Sequence, residues 1–181
     1  MAAQLITSET SVDDSRYERI DGQLIERPVP LSPHACAQTV AGDLLREALR
    51  GSKGRAWSEW SMARPDHADR TDPDYMTPDI LVAYPPLIRA RNDGHLAVPG
   101  FLAVEVLSPN QDLIWKALLY ESWGTPHVWI INPEQRMAYE YHGHGSFTIR
   151  RDELRAGDLK ISLAPIWDEL DRLAEDERET S

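Results

Sequence analysis

Residues 101–107 read Phe-Leu-Ala-Val-Glu-Val-Leu, apolar on both alternations except at Glu105. An uninterrupted apolar run of this length describes a strand buried on both faces, which requires a sheet covered by other elements on each side. Glu105 is the exception that constrains the chain. An unpaired carboxylate in such a place costs several kcal/mol or more, so it must be paired, protonated or bound to a metal. A second carboxylate, Asp79, opens another apolar run, Ile80-Leu81-Val82-Ala83, directly after Pro78. Lys116 follows on a segment with helical spacing. Two strand carboxylates and one lysine make a site suited to a hard divalent cation and a phosphate.

Elsewhere the pattern is that of a single mixed α/β domain. Ser32 and Pro33 predict the N-cap and first residue of a helix over 34–50, stopped by Gly51. Arg16 to Glu26 predicts two short strands around Asp21-Gly22. Residues 56–62, 79–84 and 101–107 predict three strands, separated by polar, proline-rich segments at 64–77 and 85–99. A helix over 112–123 ends at Gly124, and 128–131 predicts a short buried strand. Residues 136–142 and 146–150 predict a hairpin, 159–163 an edge strand and 165–174 a final helix. The expected fold is therefore α/β, with a mixed central sheet flanked by helices in the order α-β-β-β-α-β, plus an additional β-hairpin. The expected organisation is a flexible leader over 1–14, one domain over 15–174 and an acidic tail over 175–181.

Composition excludes several classes. With 181 residues, 41% hydrophobic and 27% charged, the chain is long enough for one domain with a real core. No apolar run approaches the ~20 residues that span a bilayer, and the first residues lack the pattern of a signal peptide. A single cysteine, Cys36, excludes an intrachain disulfide and a cysteine zinc site. The cytoplasm is the expected location, and no membrane partner is expected. The net charge of −11 opposes broad attraction to nucleic acid, although residues 168–181 carry seven of the acids and only two bases. Any nucleic-acid surface must then be local, and Arg50, Lys53 and Arg55, with Arg89 and Arg91, are the candidates.

The order Pro-Asp, strand glutamate, lysine resembles the PD-(D/E)XK nuclease superfamily. Residues 17–26 (YERIDGQLIE), 78–84 (PDILVAY), 101–109 (FLAVEVLSP), 112–120 (DLIWKALLY) and 124–133 (GTPHVWIINP) resemble the successive blocks of one family within it. That family is Uma2, also called domain of unknown function 820, a group of bacterial endonucleases with a restriction-endonuclease-like core. The resemblance implies that Asp79 and Glu105 ligate Mg²⁺ or Mn²⁺, with the backbone carbonyl of Val106 as a third protein ligand. It implies that Lys116 assists attack on a phosphodiester. In the simplest superfamily form the lysine lies two residues after the glutamate, where this chain has Leu107; the family carries it on the following helix. Asp79, Glu105 and Lys116 are thus the catalytic candidates, DNA the expected substrate and a homodimer the expected assembly. Gln23, Asn132 and a short loop before Asp112 depart from the family pattern.

Two other readings fit the same residues. One is a module that keeps the nuclease fold without turnover, which the acidic charge favours. The other is a hydrolase of small phosphorylated molecules. Glu18, which matches a recurrent family glutamate, is expected as an exposed hairpin acid, and His34 as a capping or surface residue. His142-Gly143-His144 is expected as an exposed hairpin turn.

Overall fold

The computed structural model describes residues 16–67, 69–85, 94–97, 99–109 and 114–179. The predicted leader, Arg89, Arg91 and Asp112 lie outside them. In chain order the elements are β1 (Tyr17–Ile20), β2 (Gln23–Glu26), α1 (Ser32–Ala48), β3 (Arg55–Ser58), β4 (Met62–Ala63), β5 (Tyr75–Met76), β6 (Ile80–Ala83) and β7 (Leu102–Val106). Then come α2 (Ile114–Ser122), β8 (His127–Asn132), β9 (Met137–Tyr141), β10 (Phe147–Arg150), β11 (Glu153–Ala156), β12 (Leu159–Ser162) and α3 (Ala164–Glu179).

The central sheet has six strands in the order β10-β9-β8-β7-β6-β3. The β7–β8 pair is parallel and its connection carries α2, while the other neighbours are antiparallel. The mixed sheet and the order α1, β3, β6, β7, α2, β8 are the expected architecture, and β9–β10 is the additional hairpin. All five residues of β7 and all four of β6 are buried.

Strand alternation sorts these residues into two cores. Leu102, Val104 and Val106 join Ile80, Val82, Trp129 and Ile131 beneath Ala37, Ala41 and Leu45 of α1 and Ile166 and Leu170 of α3. Ala103, Leu81 and Ala83 face the other way, against Ala117 and Tyr120 of α2 and Met62, Met76 and Ile20 of a small second sheet. That sheet has the order β2-β1-β5-β4. By the same alternation Glu105 shares the face of Ala103, so its carboxylate is delivered to α2 rather than to α1.

Five expectations need correction. The α1 cap is Leu31, not Ser32: Ala35 N–H donates to Leu31 O, so Ser32 is already helical and proline falls in the first turn. The predicted strand over 56–62 is two strands in different sheets, broken where Glu59 takes a positive φ of 53°. The segment 64–77 is not all exposed loop. Asp74 is buried and accepts the backbone N–H groups of Asp21 and Gly22, which ties β5 to the β1–β2 turn. The strand over 159–163 pairs with β11 in its own two-stranded sheet, and α3 continues to Glu179 through the predicted acidic tail. No helix among the described residues is long and apolar enough to cross a membrane.

Candidate active site

Strand register assembles the carboxylates. β6 and β7 pair with Ile80 opposite Val104. Continued by one residue, that antiparallel register brings Asp79 level with Glu105, and both line one cavity. Val106 N–H donates to Asp79 Oδ2 at 2.7 Å, fixing one oxygen of that carboxylate. Asp79 sits just before the paired residues of β6, and its backbone carbonyl accepts Glu59 N–H at 3.1 Å while its side chain meets β7.

α2 supplies the cation. Its buried face presents Lys116, Ala117 and Tyr120, and Ile114, Trp115 and Leu118 are exposed. Lys116 Nζ lies 2.7 Å from Glu105 Oε1 and 3.0 Å from Glu18 Oε1. Tyr120 O–H donates to the same Glu105 oxygen at 2.5 Å. Lys116 therefore points from α2 toward the Asp79–Glu105 pair, and Leu107, two residues after the glutamate, belongs to the apolar packing.

Three acids and few cations share this space, and ionisation responds accordingly. Burial pushes the Glu105 carboxyl up to about 7 from its ordinary 4.5; Lys116 pulls it down, and Asp79 and Glu18 push it further up. Burial works against the Lys116 charge, but Glu105 and Glu18 outweigh it and raise the ammonium above its ordinary value. Burial and the neighbouring Glu105 charge keep the Tyr120 phenol protonated.

These groups open into a cavity of about 520 Å³ lined by Glu18, Asp79, Glu105, Val106 and Lys116, together with Arg16, Arg27, His34, Glu59 and Trp115. Among the described residues no three His, Cys, Asp or Glu side chains are arranged as a metal-binding group. The donor set is instead two opposed carboxylates beside the main chain of Val106. Oε1 of Glu105 is engaged by Lys116 and Tyr120, and Oε2 lies outside that contact. Hard oxygen donors with spare valence and an excess of negative charge fit Mg²⁺ or Mn²⁺.

Residues 3–166 match the model of the Uma2 family, described as "Putative restriction endonuclease". The chain belongs to the Uma2 family. A "putative nuclease belonging to DUF820" from Anabaena variabilis ATCC 29413, solved by crystallography, has the same fold, with a TM-score of 0.68 and 21% identity over 85% of this chain and 90% of that one. A cryoEM structure of a DrdV–DNA complex is far more distant, with a TM-score of 0.38 and 11% identity over 74% of this chain and 11% of that one. No curated protein matches.

This Uma2 chain also holds site residues that sequence reasoning missed. Glu18 is not an exposed hairpin acid. It is buried, pairs with Lys116 and accepts Thr77 N–H at 2.8 Å. Its position in a strand that alternates buried Glu18 with Ile20 was the available signal. His34 is buried beside Asp79 rather than on the surface, with Nε2 3.4 Å from Asp79 Oδ1. Arg27 lies 3.7 Å from both Asp79 and Glu59, and no spacing in the sequence pointed to it. Arg50, Lys53 and Arg55 are exposed but do not line the cavity. Arg50 pairs with Glu47, and Arg55 donates to the carbonyls of Ser52 and Gly54. Arg50 and Lys53 sit past the C-terminal end of α1, the end opposite His34, and Arg55 lies across from Ala83, about 13 Å along β6 from Asp79 at the strand rise.

Proposed function

We propose that this Uma2 protein is a divalent-metal-dependent endonuclease that hydrolyses phosphodiester bonds, with DNA as its substrate. The observation that carries the reading is the placement of Asp79 and Glu105 opposite each other on adjacent strands, with Lys116 on Glu105. Asp79 and Glu105 would hold Mg²⁺ or Mn²⁺, with the Val106 carbonyl as the third protein donor. The ion, when bound, would supply Lewis acidity toward a phosphate and its attacking water. Val106 N–H and the Lys116–Tyr120 pair each restrain one oxygen of a carboxylate, so the remaining oxygens are pre-aimed. Lys116 keeps a full positive charge within a largely buried site, where a fixed charge stabilises developing negative charge most effectively. Arg16, paired with Glu26, and Arg27, beside Asp79 and Glu59, line the cavity wall, where they would attract phosphate once a bound cation offsets the neighbouring acids.

A duplex site has two-fold symmetry, so this reading carries a homodimer with it, which sedimentation at assay concentration tests. A second reading, a silent module with the nuclease fold, draws support from the engagement of Lys116 by two carboxylates and from the net charge of −11. Plasmid DNA incubated with Mg²⁺ or Mn²⁺, with Glu105→Ala as control, separates the two. Nicking or linearisation by the wild type alone supports the nuclease. Release of phosphate from nucleotides without DNA cleavage would point to a small-molecule phosphohydrolase, and neither activity would point to the silent module.

A further inference from the structure

Residue 79 is gripped from α1 as well as from β7. Gln38 Nε2 donates to the Asp79 backbone carbonyl at 3.0 Å. One turn earlier on the same helix face, His34 Nε2 lies 3.4 Å from Asp79 Oδ1. The other ring nitrogen, Nδ1, lies 3.0 Å from Ser108 Oγ, just beyond the end of β7. All three side chains of this Ser108–His34–Asp79 chain are buried. A carboxylate only accepts, so the ring hydrogen that faces Asp79 belongs on Nε2, and Nδ1 then accepts from the Ser108 hydroxyl. The Asp79 carboxylate sets the tautomer, and the Ser108 hydroxyl, able to donate to Nδ1, holds the ring in it.

We infer that His34 is a positioning residue for the metal carboxylate: held by Ser108, it aims Asp79 Oδ1 into the cavity. Asp79 Oδ2 is already restrained by Val106 N–H, so His34, with Arg27 Nη2 3.7 Å from the same Oδ1, flanks the oxygen that would meet a cation. At 3.4 Å the contact is longer than a tight hydrogen bond, which suits a restraint that leaves Oδ1 able to take another partner. The inference rests on the proposed metal-dependent reading. Partners that orient metal ligands change metal affinity by about 10–100-fold when removed.

The test measures Mn²⁺ binding by calorimetry and by the loss of free Mn²⁺ signal in electron paramagnetic resonance. It compares wild type, His34→Ala, His34→Gln, Ser108→Ala and Asp79→Asn. Binding should weaken about tenfold or more in His34→Ala and by a smaller factor in Ser108→Ala. His34→Gln, whose amide can still donate toward Asp79, should recover part of the loss. Long-range ¹H–¹⁵N spectra of the histidine rings should show His34 protonated on Nε2 in the wild type, and that preference should weaken in Ser108→Ala. If His34→Ala does not fold, as judged by circular dichroism, the His34→Gln and Ser108→Ala affinities and the tautomer decide. Wild-type Mn²⁺ affinity in every folded His34 and Ser108 variant, with Asp79→Asn impaired, overturns the role of His34 and leaves the metal reading standing. Absence of Mn²⁺ binding to the wild type, or equal binding to Asp79→Asn, overturns both.

Discussion

Lys116 Nζ lies 2.7 Å from Glu105 Oε1, joining α2 to β7, a central strand of the sheet, with both side chains buried. The pair is structural and chemical at once. Removing one partner of a buried ion pair leaves the other uncompensated, which costs about 3–5 kcal/mol. Lys116→Met should therefore lower the unfolding free energy by that order and abolish cleavage. The double variant Lys116→Met/Glu105→Gln should regain much of the stability and none of the activity. Chemical denaturation of the four members of this cycle checks it; additive losses would show that the two groups are not coupled.

Stability without metal should depend on pH through Glu105. Its folded-state value of about 7 stands above its ordinary 4.5, with burial as the main cause. Such a group contributes stability that is complete below about 4.5 and lost as pH rises through about 7. Chelator-treated wild type should thus lose melting temperature relative to Glu105→Gln between pH 5 and pH 8. Parallel melting curves for the two proteins across that range would contradict the assignment.

Asp79 should couple metal to folding. A ligand that binds only the native state stabilises it by about 2.7 kcal/mol at one hundred times its dissociation constant. Mn²⁺ should raise the melting temperature of the wild type accordingly. Asp79→Asn can still accept Val106 N–H, so it should fold, yet its melting temperature should not respond to Mn²⁺. A full Mn²⁺ response in this variant would place the ion elsewhere.

The cavity-wall arginines and the distal cluster should separate by substrate length. Removing one phosphate-neutralising side chain lowers the dependence of log affinity on log salt by about 0.9. Arg27→Gln should flatten the slope for short and long DNA alike. Lys53→Gln/Arg55→Gln should act only on duplexes that extend about four base pairs or more from the cavity, since Arg55 lies about 13 Å along β6 from Asp79. Binding titrations at several salt concentrations distinguish the two; an equal effect of both variants on short duplexes would mean that the distal cluster reaches the site.

The central architecture was readable because burial leaves a local signature. The apolar runs at 79–84 and 101–107 announced doubly covered strands, and a carboxylate in each marked the places where that rule was broken. The helical spacing that put Lys116 and Tyr120 on one face likewise depends on near neighbours alone. The failures arose where partners are distant. Asp74 reads as a loop acid until the β1–β2 turn supplies two N–H donors from 52 and 53 residues away. Glu18 reads as a hairpin acid until Lys116 arrives from α2. The break at Glu59, which sends β3 and β4 to different sheets, rests on one positive φ that no side-chain preference advertises.

By itself, then, the sequence determined which residues must be buried and that Asp79 and Glu105 could not be buried without partners, because burial pattern and charge are properties of the chain read a few residues at a time. Which partners they meet was decided only by tertiary structure. The β6–β7 register sets the two carboxylates opposite each other, α2 brings Lys116 and Tyr120 to one of them, and α1 brings His34 and Gln38 to the other. Those pairings depend on how elements separated by tens of residues pack, and short-range pattern carries no information about that.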